Sequence, residues 1–531
     1  MIAAECRDLA KVGGLADVVR DLSTSLKTHR VPVRVLMPYY EVINYPAEYI
    51  DSFKVRFGDK DWPVRAFGCV LDGVPIYLLR SDDFFGGLYG DVYIDSDKLG
   101  RGPFEDDAKR FAFFSAAAVE FIQKHLWQFD IEVLHCHDWH TGILLFLLKH
   151  DRRYRPLANT LRTLFTIHNL DYQGTRPFEL HKDSDLLSFA GWFPELYQDL
   201  KVQGRVEAFS DPRTALCFNP MRAGINLADN VNTVSPTYAR EITQPDNPAN
   251  NFIGGRGLEN DLLRLRNENR LHGILNGIDY QKNNPINLDP PFDANSKRWK
   301  EAREKHKINL VKGLGEQIQR LNNKLGEKFK NSKSVMAKMS TYHPDDWLER
   351  PLVVAVTRAV HQKMGILVET LDGKDLLLRE ILKKNVSLVI LGTGELEDQL
   401  ERINRWPNGV FVCAFDPQFA ARLYAAGDIF LMPSDFEPCG ISQMIAMRYG
   451  CLPLVYDIGG LHDTVQDMRT GFVYSGTTRH EVKQAFLKKL DEAVNCYLNR
   501  KQYWMKMQKQ AMAVRFEWKT SAKEYIKLYC G

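Results

Sequence analysis

Apolar positions along the chain fall into two alternating rhythms. Short β-rich runs, VPVRVLMPY (31–39), VPIYLLR (74–80), IEVLHCH (131–137) and TLRTLFTIHN (160–169), alternate with helical patterns such as DAKRFAFFSAAAVEFIQKHL (107–126). That rhythm predicts a doubly wound α/β sheet. It returns in PLVVAVTR (351–358), VSLVILGTG (386–394), GVFVCAF (409–415), DIFLMPS (428–434) and CLPLVYD (451–457), which predict a second parallel sheet. Between them, NPANNFIGGRGLEN (247–260) reads as a hinge, and the lysine-rich, weakly patterned 322–346 as a mobile insertion. No solenoid-type repeat is present. The first strand is short, since only Met1 to Glu5 precede a glycine loop, against about five or six residues in an ordinary strand; the spacing places its true start upstream.

At 531 residues the chain exceeds one hydrophobic core, and two large domains are the simplest division. Lys+Arg 70 against Asp+Glu 67 leaves a net charge of +3. The charges are interspersed, which argues against a nucleic-acid surface or a polybasic membrane patch. Nine cysteines, scattered and odd in number, suit a reducing compartment and an intracellular protein. No secretory leader is apparent, and the longest apolar stretches are too short or too interrupted to span a bilayer.

The opening loop, LAKVGGLADVV (9–19), sets Lys11, Gly13 and Gly14 at the start of a helix. Free N–H groups at a helix start attract an anion, and glycine admits a phosphate where a Cβ would collide. The spacing matches neither GxGxxG nor GxxxxGK[ST], and taken alone a tight turn with a solvated lysine explains it better. In the second half, VTRAVHQKMG places Arg358 at a strand end and Lys363 five residues on, where a guanidinium and an ammonium can meet one diphosphate. The segment PSDFEPCGIS (433–442) carries most information: Ser434 ends a strand, Pro438 fits a helix's first turn, and Glu437, Cys439 and Gly440 stand at its mouth. A carboxylate there fits sugar hydroxyls rather than phosphate; a simple helix cap is the plain alternative.

Read together, KVGGLADVV, HCHDWHTG, FTIHNLDYQG, VNTVSPTYAREI, ILNGID, VTRAVHQK, LMPSDFEPCGISQMIAMRYG and GGLHDTV resemble bacterial glycogen synthases and plant starch synthases, glycosyltransferase family five. The matches run in order over nearly the whole chain. The resemblance implies a GT-B architecture: two Rossmann-like domains facing across a cleft, at 1–255 and 256–505, with an insertion around 320–348 and a C-terminal helix, 506–531, crossing back to the first. It implies transfer of glucose from a nucleotide sugar, usually ADP-glucose, to the nonreducing end of an α-1,4-glucan, with retention of configuration and no metal or other cofactor. By the same resemblance Lys11, Gly13 and Gly14 approach the donor diphosphate and Arg358 and Lys363 neutralise it. Glu437 holds the donor glucose near the amides of Cys439 and Gly440. His168 and Asn169 contact the sugar, Asp138 faces the acceptor, and Phe415 stacks on the nucleobase. The glucan and the nucleotide sugar are the expected partners, and a bacterial cytoplasm the expected compartment, with a plastid left open.

Other readings stand beside this one. HCHDWH suggests zinc through His135, His137 and His140, but alternation of faces along a strand argues for a structural role. The DSD triplets at 95–97 and 183–185 imitate the metal motif of the other glycosyltransferase architecture and read as loops. Ile445 stands where more distant GT-B enzymes place a second glutamate, which family five generally lacks; departures from the family pattern are Pro220 and Arg222 near the site, and Asp435, where an arginine is common. They bear on acceptor preference. A UDP-glucose donor, a shorter or protein acceptor, and a glucan-binding relative without turnover are the alternatives.

Overall fold

The computed structural model describes residues 1–94, 105–180, 186–373 and 375–530; both DSD triplets involve residues outside these. The chain separates into two compact units, Met1–Asp246 with Ile253–Gly277 and Trp518–Gly531, and Asn247–Phe252 with Ile278–Glu517.

In the first unit, β1 (Val35–Pro38), β2 (Glu48–Phe57), β3 (Lys60–Leu71) and β4 (Val74–Arg80) run in the order β1-β4-β3-β2, while β5 (Val133–His137), β6 (Arg162–Ile167), β7 (Asn230–Thr233) and β8 (Leu271–Gly273) run β8-β7-β6-β5. Ile2 joins the two sets, bridging in parallel to Leu36 on one side and Cys136 on the other. Its amide donates to the His135 carbonyl at 2.8 Å, and the His137 amide donates to the Ile2 carbonyl at 3.1 Å. The first residues are therefore the middle of the sheet, short as their strand is. The β2–β3 hairpin is antiparallel and absent from the expected elements, although Val55 and Phe57 are buried and Lys54 and Arg56 exposed, a two-residue alternation running up to Gly58 in a left-handed turn.

The helix Trp518–Cys530 packs Trp518, Ala522 and Tyr525 on Val18, Leu22 and Leu26 of the helix Gly14–Thr28. This is the helix that leads out of the glycine loop. Residues 253–277 also belong to this unit, because β8 pairs with β7 (Val231 opposite Leu271) and the Gly255 amide donates to the Gln244 carbonyl at 2.8 Å. The Asn/Gly-rich stretch read as a hinge is thus partly built into the first unit, and the helix Lys501–Ala513 belongs with the second.

The second unit holds β9 (Leu352–Val356), β10 (Ser387–Leu391), β11 (Gly409–Val412), β12 (Ile429–Met432), β13 (Leu452–Tyr456) and β14 (Phe472–Tyr474), ordered β11-β10-β9-β12-β13-β14 and parallel throughout. These strands are continuous buried runs, as a parallel sheet covered on both faces requires. The lysine-rich segment is not a bare loop: it forms the helices Leu314–Leu325, Ser332–Met339 and Pro344–Leu348. Ile318, Leu321, Val335 and Trp347 are buried, Asn331 Nδ2 donates to the Phe411 carbonyl at 2.8 Å and the Cys413 amide donates to Asn331 Oδ1 at 2.9 Å. Few apolar anchors suffice there because polar side chains bind the sheet edge directly. Lys338 Nζ likewise donates, at 2.6 Å, to the Trp406 carbonyl in the turn that leads into β11.

Leu22 is fully buried in the contact that ties the terminal helix to the first unit. Leu22→Ala is expected to destabilise that unit by ~2–5 kcal/mol and to hasten proteolytic release of residues 518–530. An unchanged cleavage rate and denaturation midpoint contradict this packing role.

Candidate active site

In the second unit the sheet order reverses between β9 and β12, and an open parallel sheet presents its ligand site beside the carboxyl ends at such a reversal. The predicted residues fall there. Arg358 follows β9, exposed and without a side-chain partner among the described residues. Lys363 lies in the short helix His361–Met364. Its ammonium pairs with Glu437, only 5 % exposed, in the segment after β12. Ser434 Oγ donates to the same Glu437 Oε2 at 3.2 Å. A buried pair of this kind stabilises weakly on balance, yet losing one partner leaves an uncompensated charge. Phe415, after β11, is 76 % exposed, an aromatic face of the kind that stacks on a ring ligand.

Around Glu437 the local structure differs from the expectation. The helix begins at Ser442 with Ile441 as its N-cap, so Pro438, Cys439 and Gly440 belong to the preceding loop, not to the helix's first turn. The loop is held by close backbone packing. Gly440 has φ +73°, and a Cβ on Gly460 would lie 2.2 Å from the Cys439 carbonyl oxygen. Gln443 Nε2 donates to the carbonyls of Cys439 and Gly440 at 3.1 and 3.0 Å, and the Gly460 amide to that of Glu437 at 2.9 Å. Asp435, the departure from the family pattern, is bound by both terminal nitrogens of Arg479, whose Nε donates to Glu369 at 3.0 Å. Burial pushes the Asp435 carboxyl up from its usual range, opposed by that guanidinium. Arg479 lies 44 residues away, so no local pattern signals it.

In the first unit the glycine loop carries an anion of its own. The amides of Val12 and Gly13 donate to Glu5 Oε2 at 2.6 and 2.8 Å, and Tyr93 Oη donates to Glu5 Oε1 at 3.0 Å. These two amides are therefore engaged by protein rather than open. Lys11 Nζ is held by Asp17 at 2.6 Å. Gly13 and Gly14 nonetheless have room: a Cβ on Gly14 meets nothing within 4 Å, and one on Gly13 meets only Glu5 Oε1 at 3.9 Å. Neither has a positive φ.

Asp138, His168 and Asn169 gather at the carboxyl ends of β5 and β6. Asp138 sits at φ 56°, ψ −179°, a costly region for a residue with a Cβ and one that clusters at functional sites. Its Oδ1 accepts the His168 amide at 2.7 Å, so the carboxyl fixes the turn that carries His168 and Asn169. Behind them the histidines form a buried array. His135 and His137 lie on the same strand face, ring centroids 4.1 Å apart; alternation turns Cys136 away, not either histidine, which corrects the argument from opposite faces. His135 bonds Thr166 and Tyr529 at 2.6 and 2.9 Å, and His137 Nδ1 bonds His168 Nε2 at 3.0 Å. His140 Nε2 bonds Tyr93 Oη at 3.0 Å. Glu5 and Tyr93 were not among the sequence candidates, and His137 was weighed only as a zinc ligand or a structural residue; the place of Glu5 at the end of the first strand could have pointed to it.

Burial holds His168 and His140 down to about 3 and His135 and His137 well below the usual imidazole range, while it raises Asp138 to about 7. Lowered folded-state values mean that the unfolded chain binds more protons below pH ~6.5, so these four imidazoles contribute stability that is lost as pH falls below that point. Asp138 has the opposite sign, but one carboxyl opposes four rings. After correction for intrinsic rates, amide exchange in β5 and β6 is expected to accelerate from pH 7 to pH 5. Unchanged or slower exchange contradicts the neutral array.

With this geometry in view, comparison with known proteins is direct. Residues 1–264 match the family described as starch synthase catalytic domain, and residues 350–492 match glycosyl transferases group 1. Glycogen synthases of Streptococcus gordonii and Clostridioides difficile are each 34 % identical to this chain, over 99 % of it and 98 % of their own length. Among solved structures, the catalytic domain of starch synthase IV from Arabidopsis thaliana, bound to ADP and acarbose, is similar with a TM-score of 0.74 and 27 % identity, covering 100 % of this chain and 98 % of that one. Sucrose-phosphate synthase from Thermosynechococcus elongatus, at 15 % identity and a TM-score of 0.54, covers 100 % of this chain and 97 % of that one and shares the fold. The chain belongs to the glycogen and starch synthase family of glucosyltransferases and has the GT-B fold.

Proposed function

We propose that this protein elongates an α-1,4-glucan by transferring glucose from ADP-glucose to the nonreducing end with retention of configuration. The observation that carries the reading is the grouping of Arg358, Lys363 and Glu437 at the strand ends flanking the β9/β12 reversal. It is supported by full-length similarity to glycogen synthases and by the starch synthase structure with ADP and acarbose.

The free guanidinium of Arg358 and the ammonium of Lys363 take the donor diphosphate, whose charge grows as the glycosidic phosphate bond breaks. Glu437 orients Lys363 and receives glucose hydroxyls, and Phe415 stacks on the adenine. In the first unit His168 and Asn169 serve the donor sugar. Gly14 offers the open backbone approach, with Lys11 beside it. The acceptor hydroxyl oxygen bonds to the anomeric carbon on the face the phosphate leaves; that carbon's bond to the phosphate oxygen breaks, the hydroxyl proton passes to that oxygen, and ADP departs. Charge stabilisation of this kind needs fixed cations and donors rather than a protein nucleophile.

Labelled glucose transfer to glycogen from ADP-glucose and UDP-glucose tests the reading. ADP-glucose is the expected donor, and Arg358→Ala and Lys363→Ala are each expected to lower kcat at least ~100-fold without loss of fold by circular dichroism. Glu437→Gln, which keeps the shape, falls similarly. Transfer at the wild-type rate in all three variants, or from neither nucleotide sugar, contradicts the assignment.

Gly14→Ala separates packing from ligand approach. Alanine favours a helix over glycine by ~1 kcal/mol and meets no atom here. The melting temperature is expected to hold or rise while kcat/KM for the donor falls. A variant with undiminished kcat/KM removes the glycine from the site.

A further inference from the structure

We infer that His137 is a positioning residue that fixes the tautomer of His168, so that His168 offers its partner a permanent Nδ1–H donor and no lone pair. The inference rests on the reading of His168 as a ligand of the donor sugar and goes beyond it in naming the atom and the residue that sets it.

His137 Nδ1 and His168 Nε2 are 3.0 Å apart, and one proton lies between them. If His168 supplied it, His137 would carry its own proton on Nε2, which is buried without a partner among the described residues. That would bury an N–H with no acceptor. If His137 supplies it from Nδ1, the atom left bare is an acceptor, and unsatisfied buried acceptors are tolerated better than orphaned N–H donors. The second arrangement is the stable one. It puts the proton of His168 on Nδ1, an atom that has no partner and is not enclosed among the described residues.

The neighbouring His135 ring has its own proton positions set by its partners. Thr166 Oγ1 donates to Asn232 Oδ1 at 2.6 Å, so the 2.6 Å bond between Thr166 and His135 Nε2 has the histidine as donor. His135 Nδ1 is then the acceptor for the Tyr529 hydroxyl at 2.9 Å. Asn232 Nδ2 in turn donates to Tyr525 Oη at 3.1 Å, and the His135 ring lies 4.1 Å, centroid to centroid, from that of His137. Tyr525 and Tyr529 belong to the helix Trp518–Cys530. The terminal helix thus fixes His135, His135 packs against His137, and His137 sets the proton position of His168. Chemically, a neutral Nδ1–H can donate to a sugar oxygen but cannot accept the acceptor's proton, which is consistent with that proton going to the departing phosphate.

The test uses the full chain labelled with 15N-histidine. Long-range proton–nitrogen spectra at pH 7.5, assigned by the signals missing in His168→Gln, are expected to show His168 protonated on Nδ1 and bare on Nε2. Protonation on Nε2 overturns the inference. Asparagine carries an amide N–H at the place of histidine Nδ1, whereas leucine has similar bulk and no donor. His137→Asn is therefore expected to keep kcat/KM for ADP-glucose within about threefold of wild type, and His137→Leu to lose about tenfold or more and to shift the His168 signals. Equal activity of the two variants also overturns it. A His168→Ala variant with full activity would instead remove the sugar-ligand reading, while the ring spectrum still decides the tautomer.

Discussion

Parallel strands deliver all their carboxyl ends to one edge of a sheet, and this constraint organises the molecule. In the second unit it brings Arg358, Lys363, Phe415 and Glu437, which span 80 residues of sequence, to the ends of β9, β11 and β12. In the first it brings Glu5, Asp138 and His168 to the ends of the opening strand, β5 and β6. Charge and hydrogen bonding then act on what the sheets have gathered. Glu437 is paired from two directions, and Asp138 is spent on the turn that presents His168.

The glycines show how space distinguishes structure from ligand approach. Gly440 and Gly460 are required by the protein itself, one by its left-handed backbone and the other by contact with Cys439. Gly13 and Gly14 have neither reason. Nothing within the described chain needs them small, which is consistent with the ligand approach proposed for this loop. The carboxylate of Glu5 on the loop's amides shows that this helix start does attract an anion, as its dipole and free N–H groups require.

Much of this was legible in the sequence because parallel strands advertise themselves as buried apolar runs: β9, β10 and β13 fall inside the expected segments. So was the family, because its motifs follow one another in order. The alternation of β2 is also present in the sequence, over Lys54 to Phe57. The helices of 314–348 hid behind lysines, several of which bond backbone carbonyls or carboxylates rather than solvent. What sequence could not supply was partnership at long range. Arg479 on Asp435, Tyr529 on His135, and Glu5 on the glycine loop's own amides are facts of packing, and each changes what a site residue can do.

The proposed chemistry depends on a nucleoside diphosphate binding at the edge between β9 and β12. A crystal structure of the full chain with ADP measures it most directly. Diphosphate oxygens are expected within hydrogen-bonding distance of the Arg358 guanidinium and the Lys363 ammonium, with the adenine on the Phe415 ring. ADP bound elsewhere, with Arg358 still unpartnered and Lys363 bonded to Glu437 alone, would contradict it.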